Sequence, residues 1–280
     1  MSVGEAMARL QELEPIGLDE LVQRAALQTR IDRKYVLPAT ALPSVAEGLA
    51  PGTRVLEMHG IRGFRYESVY FDTPQLTSYW MAARQRRHRF KMRTRSYVDS
   101  ADTYLEVKTK GARSATVKDR YEYDFDRRGM LDEGGLDYAE STLSAAGFTG
   151  LPLDSLAPTL VTRYRRTTLL VPGAEGESRA TIDTHLDWAV DDRHRVRTPG
   201  IVIIETKSAS HASHVDRILW AQGHRPATIS KYGTGLAALR PELASNKWSR
   251  ILRRHFASAD PMTHSTSPTP EQGAPHEAFA

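Results

Sequence analysis

Between Arg89 and Arg95 the chain alternates strictly, with Arg89, Lys91, Arg93 and Arg95 at odd positions and Phe90, Met92 and Thr94 between them. Period two is the period of a strand, so the four cations share one face and the apolar groups the other. Side chains at i and i+2 then lie about 6.8 Å apart. At an effective dielectric near 20, each like-charged pair repels by roughly 2–2.5 kcal/mol. Such a row needs anions opposite it. The same beat continues from Tyr104 to Lys110, where Glu106, Lys108 and Lys110 alternate with Leu105 and Val107. After a glycine-containing link, Lys118, Arg120, Glu122 and Asp124 alternate with Asp119, Tyr121, Tyr123 and Phe125. Three successive strands with charge on one face predict an antiparallel meander, with Tyr121, Tyr123 and Phe125 turned toward a core.

Strand patterns flank this meander. Arg30, Asp32 and Lys34 alternate with Ile31 and Arg33 before Pro38, and Ser68–Pro74 reads as a strand running into a turn. Asp72 there is expected to cap the helix carrying Leu76, Tyr79 and Trp80. Strands resume after Pro158 in TLVTRYRRTTLLV, then in RATIDTHLDW, with Arg179, Thr181 and Asp183 on one face, and in IVIIETK, residues 201–207. Helical patterns occupy the N-terminal lead, Asp19–Ala25, ALPSVAEG, Tyr138–Ala146 and Ser213–Gly223. Others run through Leu239 and, starting from Pro241, to Phe256. Lys247, Arg250, Arg253 and Arg254 read as a solvated face of that last helix. Residues from about 258, rich in Ser, Thr, Pro and Gly, read as a disordered tail.

Composition narrows the chemistry. Thirty-eight basic against 34 acidic residues give a net charge of only +4, so positive charge is concentrated locally instead of spread. With no cysteine, thiolate metal sites, disulfides and cysteine nucleophiles are excluded. No signal-peptide pattern or run of about 18 apolar residues occurs, which predicts a cytoplasmic protein without a transmembrane segment. The sequence also lacks a P-loop, kinase signature, Gly-x-Ser-x-Gly elbow and HExxH spacing.

What remains is a set of strands with Lys and Arg at alternate positions and a few carboxylates among them: Glu106, Glu205, Glu122 and Asp183. Closing such strands into a barrel gives a cationic lumen. Arginine forks match phosphate oxygens, and sparse carboxylates suit Mg²⁺ or Mn²⁺. The residue pattern therefore favours a phosphate-handling enzyme. A nucleic-acid or other polyanion binder and a solvated basic surface stand as alternatives. Few aromatic groups sit in phase with the cations to stack bases, which counts against nucleic acid.

Nine segments in order resemble the VTC domain, the polyphosphate polymerase domain of the triphosphate tunnel metalloenzyme superfamily. They are R-x-D-x-K-Y (Arg30, Asp32, Lys34, Tyr35), SVYFDTP (68–74), R-x-R-x-Y (Arg93, Arg95, Tyr97), LEVKTK (105–110), TVKDRYEY (116–123), RYRRTTL (163–169), R-x-x-x-D (Arg179, Asp183), IIETK (203–207) and ISKYGTG (229–235). The resemblance implies an α+β fold, an antiparallel eight-stranded β-barrel tunnel with flanking helices. The expected domain is 1–257, with its core at about 16–240, a C-terminal helix at 241–257 and the tail at 258–280. The implied reaction transfers the γ-phosphoryl of ATP onto a growing inorganic polyphosphate chain, with Mn²⁺ or Mg²⁺ and no covalent enzyme intermediate.

Carried over by position, Lys34, Arg93, Arg95, Lys108, Lys118, Arg166, Arg179 and Lys207 would serve catalysis and bind substrate, and Lys231 would bind substrate. Glu205, with Glu106 as a second candidate, would hold the metal. For the cation on the RYRRTTL strand, Arg163 and Arg165 compete with Arg166. Partners are ATP and inorganic polyphosphate, with no nucleic acid expected. Membrane partner and oligomeric state stay open. Two other readings remain. One is a triphosphatase of the same superfamily, whose Glu-x-Glu-x-Lys has Arg30 here in place of its first carboxylate. The other is a non-catalytic polyphosphate- or nucleic-acid-binding module.

Overall fold

A computed structural model of the chain describes residues 1–25, 31–110, 116–174, 176–209 and 211–256. Arg30 and the expected tail from 258 lie outside these residues, as do the side chains of Thr116 and Lys118. In chain order the elements are α1 (Val3–Gln11), β1 (Glu14–Ile16), α2 (Leu18–Arg24), β2 (Ile31–Pro38), α3 (Leu42–Glu47), β3 (Arg54–Leu56), β4 (Phe64–Asp72), α4 (Thr77–Ala83), β5 (Arg89–Tyr97) and β6 (Asp102–Lys110). They continue with β7 (Thr116–Tyr123), α5 (Glu133–Ala145), β8 (Ala157–Val171), β9 (Ser178–Ala189), β10 (Arg195–Thr198), β11 (Ile201–Ser208), α6 (His214–Ala221), α7 (Lys231–Leu239) and α8 (Ser249–His255).

The chain is α+β, with one large antiparallel sheet and flanking helices. Its main path is β2-β11-β9-β8-β4-β5-β6-β7, and β1, β3 and β10 pair beside it. The expected meander is present, and its register sets Arg93 opposite Glu106, Glu106 opposite Arg120 and Lys91 opposite Lys108. Among the described residues no pairing joins β2 to β7, the two ends of the path.

The sheet is nevertheless strongly curved. A flat sheet would separate β2 from β5 by about 24 Å, five strand spacings. Yet Lys34 of β2 is close enough, after burial itself, to depress the pKa of Lys91 on β5 and of Lys108 on β6. The strands therefore bend around a common interior.

Period two assigns the two faces. Phe90 and Met92 of β5, Leu105 and Val107 of β6 and Val69 and Phe71 of β4 pack outward with Ala139 and Leu143 of α5. On the other flank, Tyr35, Leu37, Leu169, Ile182 and Ile204 pack outward under α1, α3 and α6. The concave face is apolar only at one end. There Val36, Tyr70, Leu160, Trp188 and Ile203 meet Tyr79 of α4, Tyr232 and Leu236 of α7, and Trp248 and Ile251 next to and within α8.

Two glycines make that plug possible. A Cβ on Gly233 would lie 2.4 Å from the Trp248 ring, and one on Gly235 would lie 2.1 Å from the Trp188 ring. The expected glycine-rich ISKYGTG segment is thus the head of a helix pressed between two tryptophans. Asp72 performs its expected helix-end role more extensively than its position suggests. Its carboxylate accepts from the backbone N–H groups of Thr73, Ser78 and Tyr79, and from the Tyr232 hydroxyl at 2.5 Å, tying α4 to α7.

The last helix differs from the sequence expectation. It begins at Ser249, not at Pro241, because the chain first turns at Arg240–Leu243 and 245–248 to bury Trp248 against Gly233. Lys247 also leaves the solvated face, donating its Nζ hydrogen to the Ala82 carbonyl at 2.9 Å. Tyr121, expected in the core, stays 44% exposed and stacks on Tyr138 of α5 with 5.2 Å between ring centroids. No helix among the described residues is long and apolar enough to cross a membrane.

A charged lumen as the candidate active site

Beyond the apolar plug, the concave face carries the cations that the alternation predicts. Arg93 and Arg95 of β5 share Glu106 of β6. The Arg93 Nε and Nη2 donate to one Glu106 oxygen at 2.9 and 2.7 Å, and the Arg95 guanidinium lies 3.6 Å from the other. Glu106 is only 5% exposed, so it is committed to these partners. The Arg93 guanidinium also donates to the Tyr70 hydroxyl at 2.9 Å.

Across the interior, Arg166 of β8 grips Asp183 of β9 with a two-pronged pair at 2.6 and 2.8 Å. Lys231, the first residue of α7, reaches the same carboxylate. Both cations pack on the Tyr164 ring, with Lys231 Nζ 4.2 Å and the Arg166 guanidinium 5.2 Å from its centre. Burial raises the Asp183 pKa, but Arg166 and Lys231 outweigh it and hold the carboxyl below its usual range. Of the three competing arginines, Arg166 is the one on the lumen. Arg163 turns outward to Glu67 and Arg165 to the Gly63 carbonyl.

A third acidic group, Glu205 of β11, is held differently. Lys207 lies 3.3 Å away and Lys34 4.0 Å away, and neither contact is a tight fork. Burial pushes its carboxyl up, yet Lys34, Lys207, Arg166 and Lys231 together hold it far below the ordinary carboxylate range. Its side chain is 18% exposed, against 1% for Asp183. Glu205 is therefore an ionised carboxylate that can still take another ligand.

Of the remaining sequence candidates, Arg179 stands opposite Lys207 at the end of the same face. Lys108 stands between Lys91 and Lys118 in the sheet register. Lys231 was expected to bind substrate directly, and here it is occupied with Asp183. Sequence reasoning missed the tyrosines of the lining, Tyr66, Tyr70 and Tyr164, although their spacing follows the same period of two. It also passed over Lys91 in favour of Arg93 and Arg95. No signal within one strand could have singled out Lys91, because its neighbours come from β2, α7 and the approach to α8.

Several polar atoms in this region are buried without a hydrogen-bond partner: Ser68 Oγ, Arg95 Nε, Thr162 Oγ1, Tyr164 OH and Thr181 Oγ1. Buried polar groups are ordinarily satisfied, so their convergence on the concave face fits a polar ligand or water there. A divalent metal also fits. Among the described residues no three His, Asp or Glu side chains cluster. Magnesium, however, commonly takes one or two carboxylates and draws its other oxygens from water and substrate phosphates. Glu205 meets that requirement, whereas Glu106 and Asp183 are closed over by arginine.

No curated protein matches the chain. Among solved structures, HpAC1 from Hippeastrum, named as an adenylyl cyclase and described as having a dominant triphosphatase activity, aligns at 15% identity. The alignment covers 74% of this chain and 94% of that one, with a TM-score of 0.42. A conserved hypothetical protein from Pyrococcus furiosus aligns at 11% identity over 70% and 88% of the two chains, TM-score 0.33. The PH1012 protein from Pyrococcus horikoshii OT3 aligns at 14% over the same shares, TM-score 0.34. All three superpose only loosely. The VTC-domain family matches over residues 29–240, which takes in every strand of the main sheet path and the plug helix α7. The chain belongs to the VTC-domain family.

Proposed function

We propose that this protein is a polyphosphate polymerase that transfers the γ-phosphoryl of ATP to the end of an inorganic polyphosphate chain. The observation that carries this reading is the lumen itself. Cations from β2, β5, β6, β8 and β11 converge on one interior, together with an ionised, partly exposed carboxylate, Glu205. A dense linear polyanion is the ligand class that matches such a lining, and phosphoryl transfer depends mostly on positioning and charge neutralisation.

In the proposed reaction a terminal phosphate oxygen of the polymer attacks the γ-phosphorus of ATP. The bond from that phosphorus to the β–γ bridging oxygen breaks, and ADP leaves with the bridging oxygen. The polymer supplies the nucleophile, so no side chain needs to form a covalent intermediate. Arg93 and Arg95, pre-oriented by Glu106, and Arg166, pre-oriented by Asp183, offer guanidinium hydrogens to non-bridging oxygens. Lys34, Lys108 and Lys207 add charge around the reacting phosphates, and Arg179 and Lys118 extend the same face. Glu205, or Glu106 if it is released from arginine, would hold Mn²⁺ or Mg²⁺. Such an ion, when bound, supplies Lewis-acid neutralisation of phosphate oxygens. The Glu106 and Asp183 pairs keep the arginine forks in place before substrate arrives, which lowers the ordering cost on binding.

Incubation of the purified protein with ATP and Mn²⁺ tests the proposal. Long-chain, acid-labile polyphosphate with ADP in step is the expected product. Orthophosphate as the sole phosphate product would instead identify a triphosphatase, and tight binding without turnover a binding module.

A further inference from the structure

The lumen's cations are not equally provided for. Arg93 and Arg95 have Glu106, Arg166 and Lys231 have Asp183, and Lys34 and Lys207 have Glu205. Among the described residues, Lys91 has no carboxylate within ion-pair distance. Its Nζ donates to Ser230 Oγ at 2.9 Å. Ser230 is the N-cap of the nine-residue α7, and its hydroxyl also accepts from the Gly233 N–H.

Four like charges act on Lys91 from several elements. Lys108 of β6 stands directly opposite in the register, a placement that is repulsive for like charges. Lys34 comes from β2, Lys247 from the approach to α8, and Arg93 from its own strand. Burial, followed by these four charges, lowers the Lys91 pKa well below the ordinary lysine value. Glu205 and Asp32 act on Lys108 from the β11 and β2 side. A sheet interior does not hold opposed lysines for stability.

We propose that Lys91, with Lys108 and Ser230, forms a phosphate subsite where the lumen meets the plug, apart from the arginine-held centre at Arg93, Arg95 and Arg166. Its ligand is a phosphate group of a tri- or polyphosphate whose reacting end lies at the arginines. This inference rests on the polyphosphate reading of the lumen. Ser230 orients the amine, and the bound phosphate supplies the counter-charge that the fold withholds.

The test measures tripolyphosphate binding to the full-length protein by calorimetry, in two buffers of different ionisation enthalpy at pH 8. The wild type is expected to bind with net proton uptake, because an anion beside Lys91 favours its charged form. Lys91→Met should weaken binding by about tenfold or more and reduce the uptake. Lys91→Arg, charged from the start, should bind like the wild type but take up fewer protons. Ser230→Ala should lose several-fold less than Lys91→Met. Melting temperatures separate these effects from misfolding, since Lys91→Met removes a buried amine that has no carboxylate beside it and should leave the fold at least as stable. Lys91→Met that binds within twofold of the wild type, or takes up as many protons, overturns the subsite. If the wild type binds tripolyphosphate in this Lys91-dependent way but makes no polymer from ATP, only the polymerase reading fails. If Lys91→Met makes polymer with an unchanged KM for ATP and unchanged chain length, only the subsite fails.

Discussion

The β5–β6 wall of the lumen and the facing β9–β11 wall are both cationic, but acid is divided unequally between them. On β5–β6, the buried Glu106 serves two arginines and leaves Lys91 and Lys108 with no carboxylate at ion-pair distance among the described residues. On β9–β11, two carboxylates face the interior, one closed by Arg166 and Lys231 and one open beside Lys34 and Lys207. The first wall carries surplus positive charge, and the second can accept a cation. The difference also separates two uses of acid in one site: a buried carboxylate fixes arginines, and an exposed one takes ligand.

Removing a closed carboxylate should have the largest effect. Asp183→Asn leaves Arg166 and Lys231 buried without counter-charge, and breaking such a pair costs about 3–5 kcal/mol. Urea denaturation should show that loss, with activity lost as well. Glu205→Gln should do the opposite. Its contacts are looser, so urea denaturation should show a smaller loss of stability than in Asp183→Asn. Metal-dependent turnover should nevertheless fall by about 10²–10³-fold, the scale of losing one transition-state electrostatic group. Equal stability losses in the two variants would erase the distinction between the walls. Reversing Arg93 and Arg95 to Glu should abolish tripolyphosphate binding. A reversal variant that still binds would move the anion site off the β5 wall.

Much of this site is legible along single strands. The alternation at 89–95 and 104–110 places Arg93, Arg95, Glu106 and Lys108 on one face, and the register then makes Arg93 and Glu106 partners without further adjustment. The outward phase of Arg163 and Arg165 follows from the same period once the strand is anchored at Arg166. What stays hidden is whatever depends on curvature. That Lys34 acts on Lys91 although four strands stand between theirs, or that Lys231 is taken up by Asp183, follows from how far the sheet bends and where α7 is seated. Seating is itself decided by Gly233 and Gly235, whose missing side chains admit Trp248 and Trp188. In sequence those two glycines give no sign of the rings they admit, because close approach is settled only by packing. The start of α8 at Ser249 is hidden for a related reason, since burial of Trp248 is a tertiary event.

The smallest effect expected is on the pH dependence of the ligand-free protein, and it distinguishes the walls by sign. Asp183 and Glu205 have lowered folded pKa values, so their stabilisation is present above the ordinary carboxylate range near pH 4 and is lost as pH falls below it. Lys91 also has a lowered folded pKa, but its unfolded value is that of lysine, near 10.4. Between those two values the unfolded chain binds the extra proton, so stability must rise with pH there. Thermal melts taken as pH rises toward the ordinary lysine value should therefore climb in the wild type. Lys91→Met should flatten that climb without altering the acid limb, and Asp183→Asn or Glu205→Gln should alter the acid limb alone. Saturating tripolyphosphate should abolish the alkaline rise, because a bound phosphate keeps Lys91 charged and removes its cost. An alkaline limb that is identical in wild type and Lys91→Met would show that the β5 wall carries no unmet charge.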